Sequence, residues 1–304
     1  MSRRSERSDL WMPQHWPSWL GLGIFRLLTL LPWSLRCGLA RGLAALVYHL
    51  VPIRRRVVMV NLRLCFPEKS EPEIRALARA HYDALALGLF ETCEAWWADA
   101  ARLPPFRMIG REHLDAALAL GKGALFITGH FTTLELSSRM VATAFPFGCM
   151  YRDPNNPVVA SVMRDIREKR TAVAVHWDDL RGLLRALKQN IPVWYAPDQA
   201  KRTKMSEILP FFGVPALTNA ATSRIAQMSG CAVVPYVGRR LPDGTYELEI
   251  RPALENFPSG DHTADAVRVN QLIEGFVRRA PEQYFWVHRR FKRRGPDLPD
   301  VYAG

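Results

Sequence analysis

Missing from this chain are the signatures that would assign the commonest hydrolytic and metal chemistries. No Gly-x-Ser-x-Gly elbow presents a serine nucleophile, and no His-Glu-x-x-His pair is spaced to hold zinc. The five cysteines, at 37, 65, 93, 149 and 231, include no close pair and no framework spacing. That argues against a zinc site and against a disulfide-stapled secreted domain, and places the bulk of the chain in a reducing compartment, the cytoplasm. No metal and no cofactor is expected. No internal repeat or low-complexity tract is present, and no small-residue cleavage site follows the apolar N-terminal stretch, so no removable signal peptide is expected. Helix-turn-helix, zinc-finger and RNP-type signatures are absent too, which leaves nucleic acid unsupported as a partner. Acidic residues are in short supply, 29 Asp and Glu against 41 Lys and Arg, for a formal net charge of +12. By sign alone the partner is anionic: nucleic acid, acidic lipid, an acidic protein or a phosphorylated substrate.

What is there begins with 304 residues of 48% hydrophobic content, enough for one large α/β domain or two small ones. Basic residues gather at both ends, Arg3, Arg4, Arg7, Arg36, Arg41 and Arg54 to Arg56 near the start and Arg289, Arg290, Lys292, Arg293 and Arg294 near the finish. Between the first of them, residues 16 to 35 are apolar, with Trp11, Trp16, Trp19 and Trp33 placed like interfacial anchors. Arg26 falls inside that stretch and Pro17 and Pro32 bracket it, so a segment lying in the membrane interface competes with one that spans. Residues 39 to 50 read as a second apolar helix ended by Pro52 and residues 57 to 64 as a short amphipathic one. Residues 1 to 53 are therefore expected to anchor the protein to a membrane and residues 54 to 304 to form an α/β domain.

From Ser70, with Glu71 and Glu73 in the first turn, a long helical pattern runs to about Trp97; its expected role is packing. After Pro104-Pro105 strands and helices alternate: helix 111 to 120, strand 123 to 128, helix 133 to 143, strand 148 to 151, helix 156 to 169, strand 172 to 175, helix 178 to 189, strand 192 to 196. Helix 219 to 229, strands 231 to 237 and 245 to 251 and helix 263 to 279 complete the series. Such alternation predicts an α/β fold with a largely parallel central sheet flanked by helices.

The most telling pattern is His130-Phe131-Thr132-Thr133-Leu134-Glu135, directly after the apolar run 124 to 129. Within one helix, residues five apart would diverge by about 140° and not share a face. A strand ending at Thr128 or Gly129, a turn, and a helix capped at Thr132 or Thr133 would let Glu135 reach back to His130. A carboxylate there fixes one imidazole tautomer and leaves the other nitrogen to take a proton from a hydroxyl. No nucleophile accompanies the pair, so the substrate must bring the hydroxyl. The competing reading is a structural histidine before a helix. His130, Asp198 and Tyr151-Arg152 all follow predicted strands, and ligands in open α/β sheets bind beyond strand carboxyl ends, so three distant positions are expected to converge.

With that pair in place, Tyr151-Arg152-Asp153-Pro154-Asn155-Asn156-Pro157, Trp194-Tyr195-Ala196-Pro197-Asp198-Gln199 and the run from Ala280 through Trp286-Val287-His288-Arg289-Arg290-Phe291-Lys292 follow in order. Together with His15-Trp16 and Asn61-Leu62-Arg63-Leu64-Cys65-Phe66-Pro67-Glu68, these blocks resemble the late, or secondary, acyltransferases of lipid A biosynthesis, the lauroyl and myristoyl transferase family. The His-x4-Glu pair alone is shared by a wider glycerolipid and lysophospholipid acyltransferase superfamily.

The resemblance implies transfer of a fatty acyl chain from an acyl carrier protein thioester to a hydroxyl on a 3-hydroxyacyl chain of a Kdo-bearing lipid A precursor. It also implies membrane lipids as neighbours and the cytoplasmic face of a Gram-negative inner membrane as the location. Both substrates are anionic, which a chain of +12 suits. His130 is then the general base and Glu135 its orienter. By match to the family's motif arginine and aspartate, Arg167 becomes a donor-side stabiliser and Asp198 the residue that orients it, with backbone amides near Thr132 as the other candidates for the oxyanion. Arg152, His288, Arg289 and Arg290 are expected to bind substrate, phosphate or Kdo in the case of the C-terminal run; the alternatives are a structural ion pair for Arg152, Arg167 and Asp198 and a solvated face for the run. Other functions compatible with the charge and the anchor are an acyltransferase for a different membrane lipid and a non-catalytic anionic-lipid-binding protein; a lipid hydrolase lacks its nucleophile elbow.

Overall fold

A computed structural model describes residues 9–200, 202–295 and 298–303. Arg3, Arg4 and Arg7 of the first basic cluster lie outside the described residues. The helices are α1 (Trp16–Leu28), α2 (Trp33–Leu50), α3 (Pro52–Cys65), α4 (Glu71–Trp97), α5 (Arg111–Leu118), α6 (Leu134–Ala144), α7 (Pro157–Arg170), α8 (Leu180–Lys188), α9 (Ala221–Ser229) and α10 (His262–Arg279). The strands are β1 (Phe106–Ile109), β2 (Ala124–Ile127), β3 (Gly148–Tyr151), β4 (Val173–His176), β5 (Pro192–Tyr195), β6 (Ser206–Phe211), β7 (Val214–Asn219), β8 (Ala232–Arg240) and β9 (Tyr246–Ile250).

Seven strands form one sheet in the order β1-β9-β8-β2-β5-β3-β4, parallel throughout except for the β8–β9 pair. The fold is α/β with a mostly parallel central sheet and flanking helices. Strand β2 is buried on both faces, and the period of two explains how it serves two cores. Leu125 and Ile127 join α3, α8, α9, α10 and α4 from Ile74 to Phe90 on one side, whereas Ala124 and Phe126 join α5, α6 and the end of α4 on the other.

Helix α4 starts as its sequence dictates. Ser70 and Glu73 form a reciprocal capping box, the Glu73 carboxylate accepting from the Ser70 amide at 2.8 Å. It also does more than pack, because Gly88 allows it to press on the turn after β2: a Cβ at Gly88 would stand 2.7 Å from the Thr132 carbonyl oxygen.

Several expectations change. Residues 16 to 35 are not one apolar segment: the chain breaks between Thr29 and Pro32, where a proline without an N–H disfavours helix in the residue before it, and α2 restarts at Trp33. Among the described residues no helix is long and apolar enough to cross a membrane. Arg36 does not belong to a surface cluster; it is buried in an ion pair with Glu94 of α4. Ala40 and Ala44 likewise sit inside the core against the same helix.

Strand β1 and the β6–β7 hairpin carry no expectation from sequence. The hairpin turns on Phe212-Gly213, both at positive φ (52° and 72°). Such a turn is usually announced by Asn-Gly or Asp-Gly; phenylalanine hides it. The Phe212 amide donates to Glu274 of α10 at 2.7 Å, which ties the turn down.

Candidate active site

Strands β2, β5 and β3 are neighbours, so the segments leaving their carboxyl ends meet above the sheet. From β2 the chain runs through Thr128 and Gly129 to His130. Gly129 permits the approach, since a Cβ there would lie 3.3 Å from a carboxylate oxygen of Asp198 and 3.0 Å from Ile273. Asp198, just past β5, is buried and receives His130 twice: ring Nδ1 is 2.6 Å from Oδ1, and the His130 backbone amide donates to Oδ2 at 2.8 Å. The Tyr284 hydroxyl also donates to Oδ2, at 2.9 Å. Burial alone would raise the Asp198 carboxyl, but the His130 charge and these hydrogen bonds outweigh it and bring it down to about 2. Asp198 is thus an anion, and in the neutral tautomer it selects Nδ1 of His130 bears the proton, which leaves Nε2 as the acceptor.

The segment 130 to 132 is held from the other side by the residues before the C-terminal run. Phe285 donates its amide to the His130 carbonyl at 2.9 Å and Thr132 donates to the Gln283 carbonyl at 2.7 Å. The His130 ring meets Trp194 edge-on, with 5.9 Å between centroids.

Glu135 does not touch His130. Its Oε1 accepts from Arg167 at 2.5 Å and its Oε2 from the Trp96 indole at 3.0 Å. The expected pairings are therefore exchanged: Asp198 orients His130, and Glu135 orients Arg167. The reason is direction. His130 precedes α6 in the turn, with ring and backbone amide both drawn toward β5, whereas Glu135 in the first turn of α6 faces α7 and the end of α4. Arg167 also lies over the Tyr151 ring, 5.4 Å from its centroid; burial works against its charge, but Glu135 more than offsets that and its pKa is raised.

His130 opens on a cavity of about 270 Å³ whose wall includes Arg152, Trp194, His288 and Lys292. A narrow apolar cleft of about 50 Å³, lined by Leu134, Cys149, Ile166 and the Glu135–Arg167 pair, shares Met150 and Trp194 with it. Arg152 is exposed at the rim and has no ion-pair or hydrogen-bond partner among the described residues. Of the C-terminal run, His288 and Lys292 reach this cavity.

Arg290 does not: it is only 2% exposed, donates to the Leu217 carbonyl at 2.6 Å and to Thr218 Oγ1 at 3.0 Å, and stacks on Phe211. It supports the hairpin from inside and is removed from the substrate-binding set. Arg289 is exposed and lies over Tyr302, with no place in the cavity wall.

Similarity to known proteins decides the family. The chain matches the family described as bacterial lipid A biosynthesis acyltransferase over residues 4–293. It is 36% identical over 293 residues to the lipid A biosynthesis lauroyltransferase of Escherichia coli (strain K12), covering 95% of this chain and 96% of that one. It belongs to the lipid A biosynthesis acyltransferases. The palmitoleoyltransferase of the same strain is 34% identical over 293 residues, 95% of each chain, and its myristoyltransferase 26% over 291 residues, 93% of this chain and 89% of that one.

For a member of this family, the residues that sequence reasoning left without a role are informative. Tyr284 and Trp96 hold the two carboxylates. Tyr284 stood in a recognised block, but no spacing announces that 283 to 285 folds back on 130 to 132. A serine, histidine and aspartate do meet elsewhere, Ser223 Oγ lying 2.9 Å from His262 Nδ1 and 2.6 Å from Asp265. There the buried serine sits between the other two, so no histidine bridges hydroxyl and carboxylate as a hydrolase relay requires. Among the described residues no three His, Cys, Asp or Glu side chains converge as metal ligands.

Proposed function

We propose that this lipid A acyltransferase moves a fatty acyl chain from an acyl carrier protein thioester to the hydroxyl of a 3-hydroxyacyl chain on a Kdo-bearing lipid A precursor. The observation that carries this reading is a histidine on a cavity wall with its Nδ1 fixed by Asp198, which leaves Nε2 for the proton transfer, and with the nucleophile left to the substrate. The acceptor hydroxyl gives its proton to His130 Nε2 as its oxygen attacks the thioester carbonyl; the tetrahedral intermediate then expels the thiolate, which takes the proton back from His130. Arg167, held by Glu135, sets fixed positive charge on the donor side, and the apolar cleft beside it suits the start of the acyl chain. Arg152 and Lys292 at the cavity rim have the sign to meet phosphate or Kdo carboxylate.

Residues 1 to 53 serve in this reading as the membrane-docking segment and residues 54 to 304 as the catalytic part. Trp16, Leu20, Ile24 and Leu27 form an exposed stripe along one face of α1, and Leu35, Leu39, Leu46 and Leu50 are exposed on α2. Exposed apolar faces flanked by Arg26, Arg54 and Arg56 fit helices lying in an anionic interface, at the cytoplasmic face of a Gram-negative inner membrane.

The test is acyl transfer by purified protein with a panel of acyl carrier protein thioesters and a tetra-acylated Kdo-bearing precursor, read by mass spectrometry. The product gains one acyl chain, and His130→Ala abolishes the gain without altering fold or membrane binding. Transfer by folded His130→Ala at the wild-type rate would overturn the reading.

A further inference from the structure

His288 shares the cavity wall with His130, yet the two rings are held in opposite ways. The His130 ring gives Nδ1 to a carboxylate. The His288 ring takes a hydrogen bond: the Ala200 amide donates to Nε2 at 3.3 Å. A backbone N–H cannot accept, so Nε2 must carry the lone pair and the proton of the neutral ring must sit on Nδ1. Nδ1 has no hydrogen-bond partner among the described residues and is not sealed from solvent.

The segment that carries the ring is fixed. Asn61 of α3 donates to the Trp286 and His288 carbonyls at 2.7 and 2.8 Å, and the Tyr302 hydroxyl holds Asn61 in turn. Burial disfavours a charge on His288; Asp198 favours one, and Lys292, His130 and Arg290 oppose it. The balance keeps the ring neutral at pH 7, with its pKa down at about 4.

We infer that His288 is a catalytic residue of the acyl transfer, donating a hydrogen bond from Nδ1 to the thioester carbonyl oxygen as that oxygen becomes negative. This rests on the reaction proposed above. Attack guided by His130 Nε2 develops the oxyanion in the same cavity, where a fixed donor acts without reorganisation. A neutral donor also suits the moment at which His130 holds the transferred proton, because a second cation beside the imidazolium would oppose its formation. The two histidines then divide the work: one moves the proton, the other stabilises charge. No proton leaves His288 during the cycle. It is not the phosphate or Kdo ligand that its place in a basic run indicates.

Asparagine puts its amide where histidine has Nδ1, and glutamine where histidine has Nε2, so the two discriminate the donor position. In the full-length detergent-solubilised protein, His288→Phe should lower kcat by about 100-fold or more, with KM for both substrates within about threefold of wild type. His288→Asn should recover at least about tenfold of that loss and His288→Gln should not. Thermal melting of each variant separates a folding defect from a catalytic one. In the wild-type protein, histidine-selective nitrogen NMR, assigned by the signal missing in His288→Asn, should show a neutral Nδ1–H ring from pH 5.5 to 8.

Equal rates for the asparagine and glutamine variants would overturn the assignment, as would an Nε2–H tautomer. A phenylalanine variant that raises only the lipid KM, and does so salt-dependently, would make His288 an anion ligand instead. If wild-type protein transfers no acyl chain, the functional reading itself fails; if it does and His288→Phe matches it, the assignment alone fails.

Discussion

Asp198 binds His130 through both the ring and the backbone, at 2.6 and 2.8 Å. One carboxylate therefore fixes the tautomer of the ring and the position of the chain that carries it. Asp198→Asn keeps the shape but can no longer hold a proton-bearing Nδ1 beside an anion, and is expected to lower kcat by about 10³-fold or more with little change in KM. Steady-state kinetics on the folded variant check it; a loss below about tenfold would return the orienting role to another group.

The Glu135–Arg167 pair should behave as a unit. Removing either partner leaves a largely buried charge unpaired, so Glu135→Gln and Arg167→Met should each cost more than the double variant's excess over them implies, with a coupling of roughly 1–3 kcal/mol in kcat/KM. Asp198 and Arg167 have no hydrogen bond to each other, and their effects should come close to adding. A double-mutant cycle with larger coupling between Asp198 and Arg167 would contradict the observed pairing.

Buried charge under the β6–β7 hairpin and charge at the cavity rim should read out differently. Arg290→Met leaves the Leu217 carbonyl and Thr218 hydroxyl without their donor and should destabilise the fold by about 2 kcal/mol, lowering the melting temperature with KM unchanged. Arg152→Gln with Lys292→Gln should instead raise KM for the anionic lipid, by more at low salt than at high salt.

Stability should fall in mild acid. His81 of α4 is wholly buried, bonded through Nδ1 to the Glu282 carbonyl at 3.0 Å, and burial pushes it down to about 4. In the unfolded chain it takes up a proton near 6.5, so between these values the unfolded state binds more protons and stability drops as pH falls. The loss is on the order of 3 kcal/mol, complete near pH 4 and absent above about pH 7. Urea midpoints at pH 7.5, 6.5, 5.5 and 4.5 should decline in wild type and decline less in His81→Phe.

Membrane docking should depend on the exposed face of α1. Leu20→Asp with Ile24→Asp places two carboxylates on the stripe and is expected to reduce co-sedimentation with anionic vesicles at least about tenfold while leaving transfer to detergent-dispersed substrate intact. Unchanged vesicle binding would move the docking surface elsewhere.

Most of the sheet and its helices can be read from the sequence because each carries its own period, and the placement of His130, Arg152 and Asp198 follows from strand ends alone. Partner choice does not follow. Whether His130 takes Glu135 or Asp198 is settled by the direction in which a turn leaves β2, and the backbone amide that joins the ring on Asp198 leaves no trace in residue type. The C-terminal run fails for a different reason. It has no regular secondary structure, so no periodicity separates buried Arg290 from exposed Arg289 and Lys292. Phe212 at positive φ conceals the hairpin that Arg290 supports.

The end of α4 carries Glu94, which binds Arg36 of α2, and two residues later Trp96, which binds Glu135. Helix α2, part of the proposed docking segment, and the Glu135–Arg167 pair thus hang on a single helical turn. A cut after residue 53 would strip Glu94 of its counter-ion in the interior, whereas a cut before residue 33 would spare it. If residues 1 to 53 dock the protein as proposed, anchorage and chemistry are linked through that turn, and Arg36 reaches the carboxylate that holds Arg167 by an ion pair, two residues of helix and a hydrogen bond.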